Sequence, residues 1–125
     1  MVSSKVLFKI PFGSKTISAN FDGGCLSSDA GLLLLREVDR KLGLTNRLAE
    51  CIRDGRDGSK VRQSVLEMVR QRIFGIAAGY DDCNDHDCLK SDPMLKLAVG
   101  RAPIGGDDLA SQPTLSRLEL SLIHI

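Results

Sequence analysis

The sequence predicts a mainly α-helical fold with a short N-terminal β-hairpin, an α+β arrangement, and three observations support this. Residues 60–80 carry one unbroken apolar period that matches a helix. Further helical segments between residues 28 and 119 are separated by glycines and by residues that favour helix caps. Two short β-compatible runs within residues 5–21 flank a proline and a glycine, which is typical of a hairpin.

The composition sets broad limits on the class of protein. A length of 125 residues is enough for one domain. Seventeen basic and sixteen acidic residues give a net charge of +1, so the overall charge does not indicate a nucleic-acid partner. No apolar run is long enough for a signal peptide or a membrane span, and we expect a cytoplasmic protein without membrane contact. The four cysteines are too few for a disulfide scaffold and are expected to be reduced.

The segment after residue 24 predicts two consecutive helices. Ser27 or Ser28 is suited to cap the first helix, which should run to about residue 42 and end at Gly43. Thr45 should then cap a shorter helix over residues 46–52. The first helix carries an apolar stripe that is expected to face the core, formed by Leu32, Leu35, Val38 and Leu42.

The central helix is expected to follow a cap at Ser59 and to form the middle of the core. Its apolar face is predicted to carry Val61, Val65, Met68, Val69, Ile73, Ile76 and Ala77. The opposite, solvent-facing side is predicted to carry Gln63, Glu67, Arg70 and Gln71.

Arg72 is an exception on the central helix, because its side chain projects into the apolar face. An unpaired buried charge is very costly. The sequence therefore predicts a buried or half-buried ion pair for this arginine. The candidate partners are Asp39, Asp82 and Asp85.

Residues 80–88 combine carboxylates with Cys83, His86 and Cys88, a mixture that could suggest a metal site. The three soft ligands stand at an unfamiliar spacing and have no partner pair elsewhere, and the aspartates do not match a calcium loop. We therefore predict no metal site, with Asn84 or Asp85 capping a short helix instead. The next helix should begin at an Asp-Pro pair, residues 92 and 93, and end at residue 100.

The C-terminal segment offers candidate DNA contacts. A helix with Pro113 in its first turn is predicted to start near Ser111 or Gln112. Small hydroxyls and an arginine open many helix-turn-helix recognition helices, where hydroxyls lie near phosphates and arginine reaches base edges. The DNA-binding candidates are therefore Gln112, Thr114, Ser116 and Arg117, together with Arg62 and Arg70 of the central helix. The alternative is an ordinary capped helix at a domain junction, with both arginines of the central helix as solvated surface.

Several segments in order along the chain resemble the N-terminal region of insertion-sequence DDE transposases, specifically the family numbered thirteen-eighty. They are FDGG at 21–24, LSSDAGLLLLREVD at 26–39, RQRIF at 70–74, AGYDD at 78–82, NDHD at 84–87, DPMLKLA at 92–98 and ASQPTLSR at 110–117. The likeness covers roughly residues 12–119. It implies a helical region that precedes an RNase H-like catalytic domain.

The resemblance also implies where catalysis takes place. In the family, an Asp, an Asp and a Glu bind two divalent metals, expected to be Mg²⁺, and these drive strand cleavage and transfer. By the family pattern these carboxylates lie downstream of residues 111–117, so no residue of this chain is predicted to be catalytic and the catalytic domain is expected to be absent. The implied partners are the inverted repeats of the transposon, bound by a full-length protein that is a homo-oligomer.

Residues 120–125 depart from the family pattern and resemble the translation of a sequencing-library adapter. We therefore expect a non-native tail there and a transposase region over residues 1–119. Two alternatives remain open. One is a small stand-alone helical DNA-binding or interaction protein, and the other is a metal-dependent enzyme centred on residues 81–87.

Overall fold

The computed structural model describes residues 6–20 and 28–123, and it confirms the predicted mainly α-helical fold. The elements are β1 (Val6–Phe12), β2 (Lys15–Asn20), α1 (Leu32–Leu42), α2 (Leu44–Glu50), α3 (Val65–Ala77), α4 (His86–Leu89), α5 (Pro93–Val99) and α6 (Gln112–Leu122). Single 3-10 turns stand at Gly58–Lys60 and Cys83–Asp85. Ser27 and the family-like segment 21–24 lie outside the described residues.

Strands β1 and β2 pair antiparallel around a tight turn. The register runs from Phe12 opposite Lys15 to Val6 opposite Asn20, with an irregularity near the open end. Gly13 has a φ of +61°, in the left-handed region that glycine adopts without a steric penalty. The residue pair Gly13-Ser14 therefore closes the hairpin in the place where the sequence predicts a turn.

Helix α1 starts later than predicted and is joined to α2 through a carboxylate. Its N-cap residue is Gly31, so the cap expected at Ser28 is wrong, whereas Gly43 ends the helix as predicted with a φ of +66°. Thr45 does not cap α2 but lies inside it, fully buried. The Asp39 carboxylate accepts hydrogen bonds from the Thr45 backbone N at 2.9 Å and from its Oγ1 at 2.6 Å. The Asp39 side chain of α1 thus provides an acceptor for a backbone N–H in the first turn of α2, which has no partner within its own helix.

Helix α3 begins at Ser64 rather than at the predicted Ser59. The Ser64 hydroxyl accepts from the Glu67 backbone N at 3.2 Å, and the Glu67 carboxylate accepts from the Ser64 backbone N at 2.8 Å. This reciprocal arrangement is a capping box, which satisfies two backbone donors at once. Residues 61–64 are consequently not helical, and Ser59 lies in a 3-10 turn capped by Asp57.

The buried face of α3 differs from the prediction. Met68, Val69 and Phe74 are buried, but so is Gln71, which was predicted to face solvent. Ile76, predicted to face the core, is 49% exposed. The Gln71 amide exchanges two hydrogen bonds with the backbone of Ala110, so the polar side chain is buried without losing its partners.

The core consists of two groups of side chains that share α3. The larger group joins α1, α3 and α5 and comprises Leu32, Phe74, Leu95, Ala98, Val99 and Leu109. The smaller group joins α3 to α6 and comprises Met68, Ala110 and Leu115. Helix α5 begins at Asp92 and Pro93 and ends at Gly100, as predicted. In the described part of the chain, no helix is long and apolar enough to cross a membrane.

The apolar stripe predicted for α1 does not face the core. Only Leu32 is buried, whereas Leu35, Val38 and Leu42 are exposed. The second buried position of α1 is Asp39, whose carboxylate contacts Thr45 of α2 and lies 3.8 Å from Arg70 of α3. The outer side of α1 therefore carries exposed apolar side chains.

Candidate nucleic-acid interface

The start of α6 is held by side chains from other helices. Gln71 of α3 accepts from the Ala110 backbone N at 3.0 Å and donates to the Ala110 backbone O at 2.8 Å. Asp87 of α4 accepts from the Gln112 backbone N at 3.0 Å. Ser111 is the N-cap residue, but its side chain makes no capping bond and lies 3.3 Å from the Thr114 hydroxyl. The orientation of α6 is thus set by α3 and α4.

Two of the residues predicted to contact DNA from α6, Gln112 and Ser116, are hydrogen-bonded to each other. The Gln112 side chain donates to the Ser116 hydroxyl at 3.0 Å, and both residues are half-buried. Arg117, the residue after Ser116, is exposed and has no hydrogen bond or ion pair within the described residues. Among the candidates on this helix, Arg117 is therefore the one whose charge is available to a ligand.

A polar groove lies beside the first turn of α6 and has a volume of about 650 Å³. We call it the polar groove; it is lined by Arg62, Gln63, Lys90, Arg101, Asp107, Asp108, Leu109, Ser111 and Thr114. The predicted candidates Arg62 and Thr114 meet in this groove. Lys90 was missed by the sequence analysis, because it lies at the end of a short helix with no basic pattern around it.

Arg101 organises the loop that borders the polar groove. Arg101 pairs with Glu67 at 3.0 Å and donates to the backbone O atoms of Asp108 at 2.7 Å and Arg62 at 3.0 Å. Burial is the largest influence on the pKa of Glu67 and raises it, but hydrogen bonds from Arg101 and Ser64 outweigh it and leave the pKa below its ordinary value. These contacts tie the residues before α6 to the start of α3.

A second groove lies between the loop after α2 and α6, with a volume of about 380 Å³. We call it the arginine groove; it is lined by Ile52, Arg53, Asp54, Gly55, Arg56, Val65, Met68, Thr114, Arg117, Leu118 and Ser121. Thr114 lines both grooves. The predicted candidates Arg62 and Arg117 therefore lie in two grooves that adjoin at one threonine. Arg53 and Arg56 were missed, since a loop without periodicity carries no signal of what it faces.

The three arginines of the arginine groove differ in their partners. Arg56 forms a two-pronged pair with Asp54, at 2.8 and 2.9 Å, and this hydrogen bonding holds the pKa of Asp54 below its ordinary value. Arg53 is exposed and, like Arg117, makes no hydrogen bond or ion pair in the described part of the chain. Three arginines against one aspartate leave the groove with an excess of positive charge.

Arg70 occupies a different side of α3 and is not solvated surface, so that interpretation is wrong. Its guanidinium donates to the Thr45 hydroxyl at 3.2 Å and to the Val99 backbone O at 3.3 Å, and it lies 3.8 Å from the Asp39 carboxylate. The arginine joins α3 to α2 and α5. A DNA contact at Arg70 remains a prediction, and these three contacts argue against it.

Arg72 forms the predicted half-buried ion pair, but with an unexpected partner. Its guanidinium pairs with Glu119 of α6 and donates to the backbone O atoms of Asp81 at 2.6 Å and Tyr80 at 3.4 Å. The hydrogen bond from Arg72 lowers the pKa of Glu119. The predicted partners Asp39, Asp82 and Asp85 are wrong, because the helical projection shows only which face Arg72 occupies and not which helix covers it.

The cysteine, histidine and aspartate side chains of residues 80–88 have separate structural roles. Asp82 accepts from the Asn84 backbone N at 2.9 Å and so caps the 3-10 turn, whereas Asp85 stands at the predicted N-cap position of α4 but its side chain makes no capping bond. Cys83 donates to Glu119 at 3.4 Å, and burial raises the pKa of its thiol. Across residues 6–20 and 28–123, no three His, Cys, Asp or Glu side chains form a group that could hold a metal ion.

The fold and the site together define a helical domain in which side chains of α3 and α4 hold the start of α6, and in which two arginine-lined grooves border this helix. The sequence model of the family described as transposase DDE domain group 1 matches residues 9–124. The chain belongs to this family, which confirms the resemblance to DDE transposases and gives the protein a transposase-related function. Neither the curated proteins nor the solved structures gave a match to this chain.

Proposed function

We propose that this chain acts in the DNA transposition of an insertion sequence, as the N-terminal region of a DDE transposase of family thirteen-eighty. Membership of the transposase DDE domain family supports the general function. The segments that resemble this particular family also contact one another in the fold. Gln71 bonds to Ala110, and Asp87 bonds to Gln112, so segments far apart in the sequence form one structural unit.

The role proposed for this region is contact with the inverted-repeat DNA at the transposon ends. The observation that carries this proposal is the meeting of Arg62, Thr114 and Arg117 around one end of α6, in two adjoining grooves. Lys and Arg supply most of the affinity of proteins for DNA through the phosphate backbone, and hydroxyls contribute further phosphate contacts. The net charge of +1 predicts weak binding by this region alone.

Catalysis is proposed to come from an RNase H-like domain with its Asp, Asp and Glu and with Mg²⁺, outside the residues described here. Two of the carboxylates that the metal-enzyme alternative would need have other partners: Asp82 caps a turn and Asp87 holds the start of α6. We further propose a cytoplasmic protein that is a homo-oligomer at full length.

The test is a titration of fluorescently labelled inverted-repeat DNA with this chain at several salt concentrations, with scrambled DNA in parallel. We expect weak binding to both duplexes that falls steeply with salt, because phosphate contacts release counterions. Arg62→Gln should reduce the slope of log affinity against log salt by about 1. Arg36→Gln, on exposed α1, is the matched control and should leave the slope unchanged. Absence of binding at low salt contradicts the proposed DNA contact.

A second candidate function is a small stand-alone helical DNA-binding or interaction protein. The observation that favours it is the apolar outer side of α1, where Leu34 is 74% exposed and Leu42 is 60% exposed. Apolar side chains grouped on a protein surface commonly mark a contact with another protein. Both candidates share the DNA contact, and they differ in whether the parent protein carries a catalytic domain.

A further inference from the structure

The arginine groove contains two arginines without a partner in the described residues, beside a loop that is held by its own hydrogen bonds. Arg53 and Arg117 come from two separate segments, the loop after α2 and α6, and both are exposed without a partner in the described residues. Neighbouring Arg56 is held by both carboxylate oxygens of Asp54, which also accepts from the Arg56 backbone N at 3.1 Å. The loop therefore has internal bonds of its own, and among its groove-lining residues Arg53 is the charged one for which the described part of the chain offers no partner.

The rest of the groove is suited to an anion that lies between the two segments. Val65, Met68 and Leu118 line it with apolar atoms, and next to such a surface an electrostatic attraction is stronger than in bulk water. Thr114 and Ser121 add hydroxyls that can donate hydrogen bonds. Thr114, Arg117, Leu118 and Ser121 recur at helical spacing, so one face of α6 carries the charge, the hydroxyls and an apolar contact.

We propose that the arginine groove binds a phosphate group of the DNA backbone, with Arg53 and Arg117 as its charged ligands. The inference rests on the DNA contact proposed above and adds the position of a phosphate and the residues that hold it. Arginine suits this role because its planar guanidinium presents several donors to phosphate oxygens. The neighbouring polar groove, which shares Thr114, would then follow the same backbone.

The experiment measures duplex affinity and its salt dependence for Arg53→Gln, Arg117→Gln and the double variant. Each single variant should bind DNA roughly three- to tenfold more weakly at low salt, and each should reduce the salt slope by about 1. The double variant should reduce the slope by about 2. Arg36→Gln and Arg47→Gln remove exposed arginines from α1 and α2 and serve as matched controls, with changes below about twofold.

The outcomes separate this inference from the proposed function. If the unmodified chain binds DNA and the groove variants behave like the two controls, the phosphate site is wrong and the general DNA contact stands. If the unmodified chain does not bind DNA, the proposed function itself fails, and the site fails with it. Because both groove arginines are exposed, thermal unfolding of each variant should match that of the parent chain, which excludes misfolding as the cause of lost binding.

A further arm distinguishes backbone phosphate from free phosphate. Inorganic phosphate is added to the complex of chain and DNA and compared with chloride at equal ionic strength. We expect no difference between the two salts, because the groove is inferred to take a phosphate that is held in place by its DNA strand. Displacement of DNA by low concentrations of inorganic phosphate, lost in Arg53→Gln, would assign the groove to a free phosphate ligand and overturn the inference.

Discussion

Two arginines two positions apart on α3 connect it to different parts of the molecule. The Arg72 side chain is 15% exposed, and it joins α3 to Glu119 and to two backbone carbonyls. The Arg70 side chain is 25% exposed, and it joins α3 to Thr45 and to a backbone carbonyl of α5. Both side chains are largely buried and hold neighbouring helices through their charge and their hydrogen bonds.

Substitution of these arginines should destabilise the protein by different amounts. Arg72→Ala is expected to lower the free energy of unfolding by about 2–3 kcal/mol, because it leaves two carbonyls without their donor and removes the ion-pair partner of Glu119. The contribution of the ion pair is reduced by solvent, since the Glu119 side chain is 43% exposed. Arg70→Ala should cost about 1–2 kcal/mol. Urea unfolding gives both values.

The control for this comparison is Arg36→Ala, which removes an exposed arginine without a partner in the described residues. It should change stability by about 0.5 kcal/mol or less. An Arg70→Ala value no larger than that of Arg36→Ala would show that the hydrogen bonds of Arg70 contribute nothing to folding.

At the scale of single residues, the sequence predicted the burial of a side chain such as Arg72 better than it predicted which residue that side chain pairs with. The ion pair of Arg72 follows from its position on an apolar face, but its partner lies 47 residues away and depends on where α6 packs. Gln71 was predicted to face solvent from its polar side chain and its place in the helical projection. Its burial is possible because it bonds to the backbone of Ala110, a partner that the sequence does not indicate. The candidate DNA site divides in the same way: Arg117 was predicted from its helix, whereas Arg53 acquires a role only through the groove it faces.

At the scale of elements, a buried polar contact joins Gln71 of α3 to His86 of α4. His86 is fully buried, and its Nδ1 lies 3.1 Å from the Gln71 side-chain amide, which makes Nδ1 the acceptor. Gly75 of α3 leaves room for this ring, because a Cβ there would stand 2.8 Å from the imidazole. Burial, followed by the nearby charge of Arg72, lowers the pKa of His86, while the smaller influences of Asp85 and Glu119 raise it.

Because His86 titrates, its burial between α3 and α4 should make the free energy of unfolding depend on pH. The pKa of His86 in the folded chain lies below its ordinary value of 6.5, so the unfolded chain binds the proton more readily. The stability that neutral His86 contributes is fully present above about pH 6.5 and is lost as the pH falls below it. We expect the free energy of unfolding to decrease between about pH 7.5 and pH 5.5, measured by urea titration.

The variant His86→Asn isolates this effect, because the asparagine oxygen can replace Nδ1 as an acceptor and does not titrate. It should be less stable overall but show a flatter pH dependence in this range. Glu67 and Glu119, whose pKa values are lowered, lose their contribution only at more acidic pH, below the ordinary glutamate value of 4.5. An unchanged slope in His86→Asn would assign the pH dependence to other groups.

Helix boundaries were predictable where the signals are local and unambiguous. Asp92, Pro93 and Gly100 define α5, and Gly43 ends α1, because an N-cap carboxylate, an N1 proline and a left-handed glycine act within one turn. The start of α3 was misplaced because two serines compete, and the pairing of Ser64 with Glu67 outweighs the apolar period upstream. The orientation of α1 depends on its contacts with other helices, such as the burial of Leu32 against α3 and α5, which no local pattern contains.

At the scale of the whole molecule, the described helices leave much apolar surface uncovered. On α1, Leu34 is 74% exposed and Val38 is 52% exposed, and on α6 Leu120 is 60% exposed. An apolar groove also lies between α2, α3 and α6; it is lined by Leu48, Cys51, Ile52, Val69, Arg72, Ile73, Leu118, Glu119 and Leu122. The polar groove, the arginine groove and the apolar groove all include residues at or on α6, so the proposed DNA contact lies on a helix that also carries exposed apolar surface.

This distribution leads to a prediction about association. The purified chain should bind a hydrophobic dye and form oligomers with rising concentration, because grouped apolar side chains favour burial. The combined variant Leu34→Ser, Val38→Ser and Leu42→Ser should reduce dye binding and oligomer size while leaving the thermal transition near that of the parent, since these side chains are exposed. Ile104→Ser, at a position 73% exposed but outside α1, is the matched control and should change neither property. Light scattering measures the oligomer, and a dye-negative monomer at all concentrations would show that the apolar side of α1 does not drive association.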